Sequence, residues 1–260
     1  MKTRPLYRPI LLFLFLLPYS FHSKAQDCKC DESKPIQEKY TRLLQQAKMD
    51  SAKIVLEDFK KLKSPVCLSI YHSNLAFIHF RLRKYEQALK SLAREYKILN
   101  SESCNRKAYL NYYLTKGLIY SDTDVLDSAA SNILKAIEIG EEFQMKTGLA
   151  GCYSSMCMVF GKMNRMDKVI YYTKKSIKLN RELNDYFYLS RNFYLLSNAY
   201  SVLAGQKNNE KYYDTLNIVL DSALANTRKS GNPSGMPGIY YNKAEFFIQH
   251  EVILNEKPSV

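Results

Sequence analysis

The chain has 260 residues, with no tryptophan, 21 tyrosines and a formal charge of +13 from 38 basic and 25 acidic side chains. That length leaves ample chain for a sizeable hydrophobic core. The positive charge is spread along the chain rather than packed into one run, which fits a solvated basic surface or an acidic partner. With no recognisable binding motif, it argues against nucleic acid.

The first 25 residues read as a secretory signal. Lys2, Arg4 and Arg8 precede the apolar run Ile10–Leu17, and Ser23-Lys24-Ala25 places small residues at a cleavage site. This run is too short to cross a bilayer, which needs about 20 apolar residues. A retained anchor is the competing reading. Asp27 before Cys28 argues against a lipoprotein signal. Cleavage after Ala25 would deliver an exported product, periplasmic or secreted, with no membrane span to follow. Residues 26–35 form a short cysteine-containing segment, 36–250 a helical domain and 251–260 a tail.

From Val66 to Asn232 there is no proline, which suits helices, where an interior proline costs about 3 kcal/mol. Apolar residues recur three and four apart, as at Leu75, Ile78 and Leu82, and strand-like alternation is nowhere sustained. The chain reads as all-α.

Taken in order, an N-terminal unit is predicted from Leu43, Met49, Ala52, Leu56 and Phe59, ending at Lys63-Ser64-Pro65. The next carries Leu75, Ala76, Tyr85, Ala88 and Leu92, and ends at Asn100–Ser103. Tyr113, Gly117, Tyr120, Leu126, Ala129, Ile133 and Ala136 make another, followed by a weak, mostly helical break from Gly140 to Gly148. Tyr153, Cys157, Phe160, Met166 and Val169 form a degenerate copy that closes at Asn180–Asp185. Phe193, Leu196, Ser197 and Tyr200 then precede a loop at Gly205–Asn209, with Tyr213, Leu220 and Ala223 after it. Lys229–Gly238 is the last break. Met236–Gln249 reads as an unfinished unit with Tyr240, Ala244 and Phe247 inside. Tyr85, Leu126 and Met166 each open a second helix, 41 and then 40 residues apart. A period of that size with two helices per unit marks an α-solenoid.

The pattern resembles tetratricopeptide repeats over residues 36–250: small residues at Ala76, Gly117 and Ala129 for close helix approach, large ones at Tyr85 and Tyr120 between units. The resemblance implies a right-handed α–α superhelix of antiparallel helix pairs. It also implies a protein or peptide partner, held on a concave face lined by first-helix positions. Carried across, these are Ser73, Phe77, Phe80 and Arg81, then Asn111, Leu118 and Asp122. Ser154, Met158 and Lys162 follow, then Arg191, Tyr194 and Asn198, and finally Tyr241 and Glu245. The mixture suits a peptide with an aromatic or acidic feature. Behind a signal peptide, such arrays resemble the exported ectodomains of envelope sensors, which implies a role in signal reception. The unfinished last unit leaves an apolar end that could pair with a second copy in an assembly scaffold.

Export permits disulfides. Cys30, Cys67 and Cys104 each precede the first helix of a unit, where loops stack, so a bridge from Cys67 to Cys28 or Cys30 would staple the N-terminal end. Cys152 and Cys157 read as buried thiols. His72 and His79 read as packed core residues, and with His250 they lack paired metal-ligand spacing to the cysteines. No phosphate-binding loop, dinucleotide fingerprint or nucleophile elbow occurs, so neither a cofactor nor an enzymatic activity is expected.

Overall fold

The computed structural model describes residues 30–46, 48–62, 64–101, 108–207 and 210–255. The signal segment, Cys28, Cys104 and residues 256–260 of the tail lie outside them. Among the described residues, α-helices follow one another without a strand: α1 Lys34–Gln45, α2 Met49–Leu56, α3 Pro65–Arg81, α4 Tyr85–Ser101, α5 Tyr109–Asp122, α6 Leu126–Glu142, α7 Lys146–Lys162, α8 Met166–Glu182, α9 Tyr186–Lys207, α10 Glu210–Ser230 and α11 Met236–Asn255. The all-α expectation holds.

The local sequence sets these boundaries. Pro65 occupies the first turn of α3, where its missing N–H costs nothing and its fixed φ suits the helix. The helices α2, α4, α6 and α8 open with an apolar residue followed by an acid: Met49-Asp50, Tyr85-Glu86, Leu126-Asp127 and Met166-Asp167. The acid faces the positive end of the helix dipole. Five helices end identically, with Arg83, Asp124, Gln144, Asn164 and Asn184 at φ between +52° and +59°. The residue after each donates its N–H to a carbonyl five positions back, as Met145 does to Gly140 at 2.8 Å and Arg165 to Phe160 at 2.9 Å. This closure caps the orphan carbonyls of one helix and delivers the chain directly into the next.

The break expected to be weak at Gly140–Gly148 is therefore as sharp as the others and spans only Phe143–Met145. Its two glycines are helical, and their role is closeness: a Cβ at Gly140 would sit 2.8 Å from Leu149, and one at Gly148 would sit 2.9 Å from Leu110. Of the loop expected at Gly205–Asn209, Gly205 to Lys207 are still helical in α9, and residues 208–209 lie outside the described residues. At the C-terminus α11 runs on to Asn255.

The helices pack in adjacent pairs: α1 with α2, α3 with α4, α5 with α6, α7 with α8 and α9 with α10. The odd-numbered helices α3, α5, α7, α9 and α11 also touch in series, forming one continuous face. Inside the pairs, the buried residues Ala76, Gly117 and Cys157 stand 41 and 40 residues apart and meet Ala88, Ala129 and Val169. Buried polar groups tie α7, α8 and α9: Ser176 donates to the Ala150 carbonyl at 3.0 Å, and Asn192 donates to Ser176 Oγ at 2.8 Å. In α11 it is Phe246 that packs, while Phe247, expected inside, is 51% exposed. Likewise Ile239 is buried and Tyr240 is exposed, so the inward stripe lies one residue earlier than the sequence pattern suggested.

Candidate functional site

Cys30 is bonded to Cys67 across 37 residues, with Cα atoms 5.4 Å apart, which ties the start of the helical array to the first turn of α3. Cys152 and Cys157 are free and buried. Burial pushes their thiols up to about 12 and about 11, away from nucleophilic use. His79 is buried with its Nδ1 3.4 Å from Ser91 Oγ, and His72 packs edge-on against Tyr71. Burial lowers both imidazoles, so they pack as neutral rings. Among the described residues no three His, Cys, Asp or Glu side chains gather as metal ligands, and no helix is long and apolar enough to cross a membrane.

A groove of about 470 Å³ runs across α3, α5, α7 and α9. It brings together Phe77, Phe80, Arg81, Leu118, Asp122, Ser154, Met158, Lys162 and Arg191 from the expected positions. These side chains converge because Phe77, Leu118 and Met158 occupy equivalent places 41 and 40 residues apart on successive odd helices, as do Arg81, Asp122 and Lys162. The apolar residues form its floor. The guanidinium of Arg81 lies 6.0 Å from the Phe77 ring, and Arg191 points its Nη2 at Met158 Sδ, 3.4 Å away. Lys162 is already engaged: it donates to the Ser121 carbonyl at the end of α5 and to Asp124 at 2.9 Å. Asp122 accepts a hydrogen bond from Tyr85 at 3.3 Å. The cations left facing the groove are therefore mainly Arg81, Arg83 and Arg191. An apolar floor with an arginine rim can hold an apolar chain that carries carboxylates.

The remaining expected residues lie elsewhere. Tyr194 lines a separate pocket of about 300 Å³ where α9, α10 and α11 meet, and shares Arg191 with it. Gly238 of α11 lets the two helices close there, since a Cβ would stand 3.2 Å from the Tyr194 hydroxyl. Asn198 bridges to the Asn242 amide of α11. Tyr241 and Glu245 are exposed on α11 and hydrogen-bond each other at 3.1 Å. Ser73 and Asn111 line a third cavity, of about 280 Å³, beside Glu95.

Sequence reasoning passed over Leu114, Ser155, Tyr188 and Arg83, which also line the groove. Leu114 is one turn before Leu118 and could have been found by helical spacing. Arg83 belongs to a turn whose geometry no residue type announces. Glu95 was legible only as an acid within the stripe Ala88, Leu92 and Leu99.

Compared with known proteins, the chain matches no protein-family model and no curated sequence.

Proposed function

We propose that the chain is an exported tetratricopeptide-like solenoid, a right-handed superhelix of helix pairs, that binds a protein or peptide partner in the groove across α3, α5, α7 and α9. Reception of a signal, as a sensor ectodomain does, is the most concrete form of that role. The observation that carries it is the convergence of equivalent positions from α3, α5 and α7, joined by Arg191 of α9, on one apolar, arginine-rimmed groove. The 40-residue step between Leu126 and Met166 and the serial contact of the odd-numbered helices support the superhelical arrangement. The partner chemistry follows from the lining: an extended or helical segment with aromatic or aliphatic side chains and carboxylates.

The test is selection of displayed peptides on the mature chain, followed by titration calorimetry. Enriched peptides are expected to combine acids with Phe, Tyr or Leu. Phe77→Ala and Met158→Ala should each weaken binding by about 1–2 kcal/mol, and Arg191→Glu by more than either. No enrichment, or affinities untouched by all three changes, would sink the proposal.

A second reading has its own support. Tyr240, Tyr241, Phe247 and Ile248 leave an apolar patch on α11, which suits self-association as a scaffold. Light scattering after size exclusion decides it: a dimer that Phe247→Glu converts to monomer favours the scaffold, a monomer at all concentrations disfavours it.

A further inference from the structure

Glu95 is the one acid of α4 that is turned fully inward. It is 1% exposed, and its Oε2 has no hydrogen-bond partner. A buried carboxylate without a counter-charge is costly, and burial lifts this carboxyl to about 8; the Ser73 hydroxyl alongside it opposes the shift only in part. Packing gives no reason for an acid here. The equivalent residues 41 and 81 positions on are Ala136 and Ser176, both small and buried. Helix α4 therefore carries a carboxyl where α6 and α8 place a methyl and a hydroxyl.

The carboxyl does not face solid core. It lines the cavity of about 280 Å³ between α1, α3, α4 and α5. The other polar groups there are all uncharged: Gln37 from α1, Ser69, Ser73 and Asn74 from α3, and Asn111 from α5. Among the described residues, no lysine, arginine or histidine lines it. A single carboxylate without a second acid or imidazole is a poor metal set. One acid, several hydroxyl and amide oxygens, and room for a group of a few heavy atoms match an N–H-rich cation instead.

We propose that the Glu95 cavity is a binding site for an organic ammonium or guanidinium group, with the Glu95 carboxylate as counter-ion and Ser73 and Asn111 as flanking polar contacts. Two sources share this chemistry: a free small amine, or a lysine or arginine side chain on a peptide. The cavity lies one helical turn from the groove along both α3 (Ser73 to Phe77) and α5 (Asn111 to Leu114). Only the peptide source rests on the groove reading above.

The experiment uses the mature chain labelled with ¹³C at glutamate. The Glu95 carboxyl resonance is followed against pH with butylammonium, butylguanidinium or a lysine-bearing decapeptide, and with butyrate as an anionic control. A cation is expected to lower the midpoint of the Glu95 titration. Calorimetric affinity should be more than about tenfold tighter at about pH 9 than at about pH 6, either side of the carboxyl's own value. Glu95→Gln should abolish binding without lowering thermal stability. Binding of the free amines identifies a small-molecule site, and binding of the peptide alone identifies a side-chain pocket. A Glu95 resonance that no cation moves, or affinity that survives Glu95→Gln, overturns the proposal. Should Glu95→Gln fail to fold, the resonance of the unaltered protein still decides. A peptide that binds the groove yet leaves that resonance unmoved separates failure here from failure of the groove proposal.

Discussion

Single side chains in this array are constrained by closeness and by burial, and each constraint has a measurable signature. A Cβ at Gly117 would fall 2.6 Å from Ile133 Cγ1 and 3.1 Å from the Ala129 carbonyl, so it would fit only if α5 and α6 moved apart or Ile133 shifted. Gly117→Ala should therefore destabilise by about 1–2 kcal/mol despite alanine's better helix propensity. Gly151, with nothing within 4 Å, is the control: Gly151→Ala should stabilise by up to about 1 kcal/mol in the same denaturant titration. Glu95 sets a pH slope. Its carboxyl titrates at about 8 when folded and at 4.5 in its ordinary state, so between those values the native chain holds a proton the unfolded chain has lost. Stability from this group is complete below the lower value and is lost as pH rises to the upper one. His72 and His79, lowered by burial, act in the opposite sense: their contribution is present above 6.5 and is lost as pH falls through their depressed values. Melting temperatures should thus peak in mildly acidic solution, and Glu95→Gln should remove the decline on the alkaline side. An unchanged alkaline limb in that variant would show that other groups set it.

At the scale of elements, the repeated turn is the informative unit. Arg83, Asp124, Gln144, Asn164 and Asn184 hold a backbone region that costs a side-chain-bearing residue about 1–2 kcal/mol. Aspartate and asparagine tolerate it best, so the largest recoverable strain lies at Arg83 and Gln144. Gln144 is exposed and outside the groove, which makes Gln144→Gly the cleaner test. A gain of about 0.5–1 kcal/mol, roughly 1–4 °C in melting temperature, is expected, and a loss would mean that the side chain makes contacts outweighing the strain. These turns also mark where sequence reading succeeds and stops. Helix starts were legible because Tyr85-Glu86, Leu126-Asp127 and Met166-Asp167 repeat an apolar–acidic pair at a near-constant step. The turn at Phe143–Met145 was blurred because its left-handed residue is a glutamine, while the glycines on either side serve helix packing. In the groove, positions recurring along the odd-numbered helices could be found from periodicity. The Glu95 cavity could not, because an acid looks the same in sequence whether α1 and α5 cover it or leave it in water.

Over the whole molecule, the packing contacts are local. Each pair touches chiefly its neighbours, so a perturbation at one end should fade along the chain. The Cys30–Cys67 bond closes a 37-residue stretch, for which loop entropy suggests about 3–4 kcal/mol. Reduction, or Cys67→Ser, should accelerate amide exchange in α1, α2 and the start of α3 while leaving α7 to α10 nearly unchanged. Uniform acceleration in every helix would instead reveal one cooperative unit. The surface charge belongs to this scale as well. Lys135 lies 5.4 Å from the Tyr113 ring and Lys175 lies 5.1 Å from the Tyr153 ring, the same contact one repeat apart. Part of the chain's positive charge is thus fixed over aromatic faces rather than dispersed in solvent.

The even spacing of the turns carries one more consequence, about how such a chain can change length. From Asp124 to Asn184 the left-handed residues fall every 20 positions, so the backbone makes no distinction between a turn inside a pair and a turn between pairs. Only parity does. Excising Leu126–Arg165, two helices and two turns, would join α5 to α8 with every remaining helix on its own side, and a shorter folded protein should result. Excising Leu126–Met145, one helix and one turn, would preserve every local angle yet exchange groove-lining and outward-facing helices from that point on. Duplication and loss in this lineage of sequence are therefore expected in even numbers of helices.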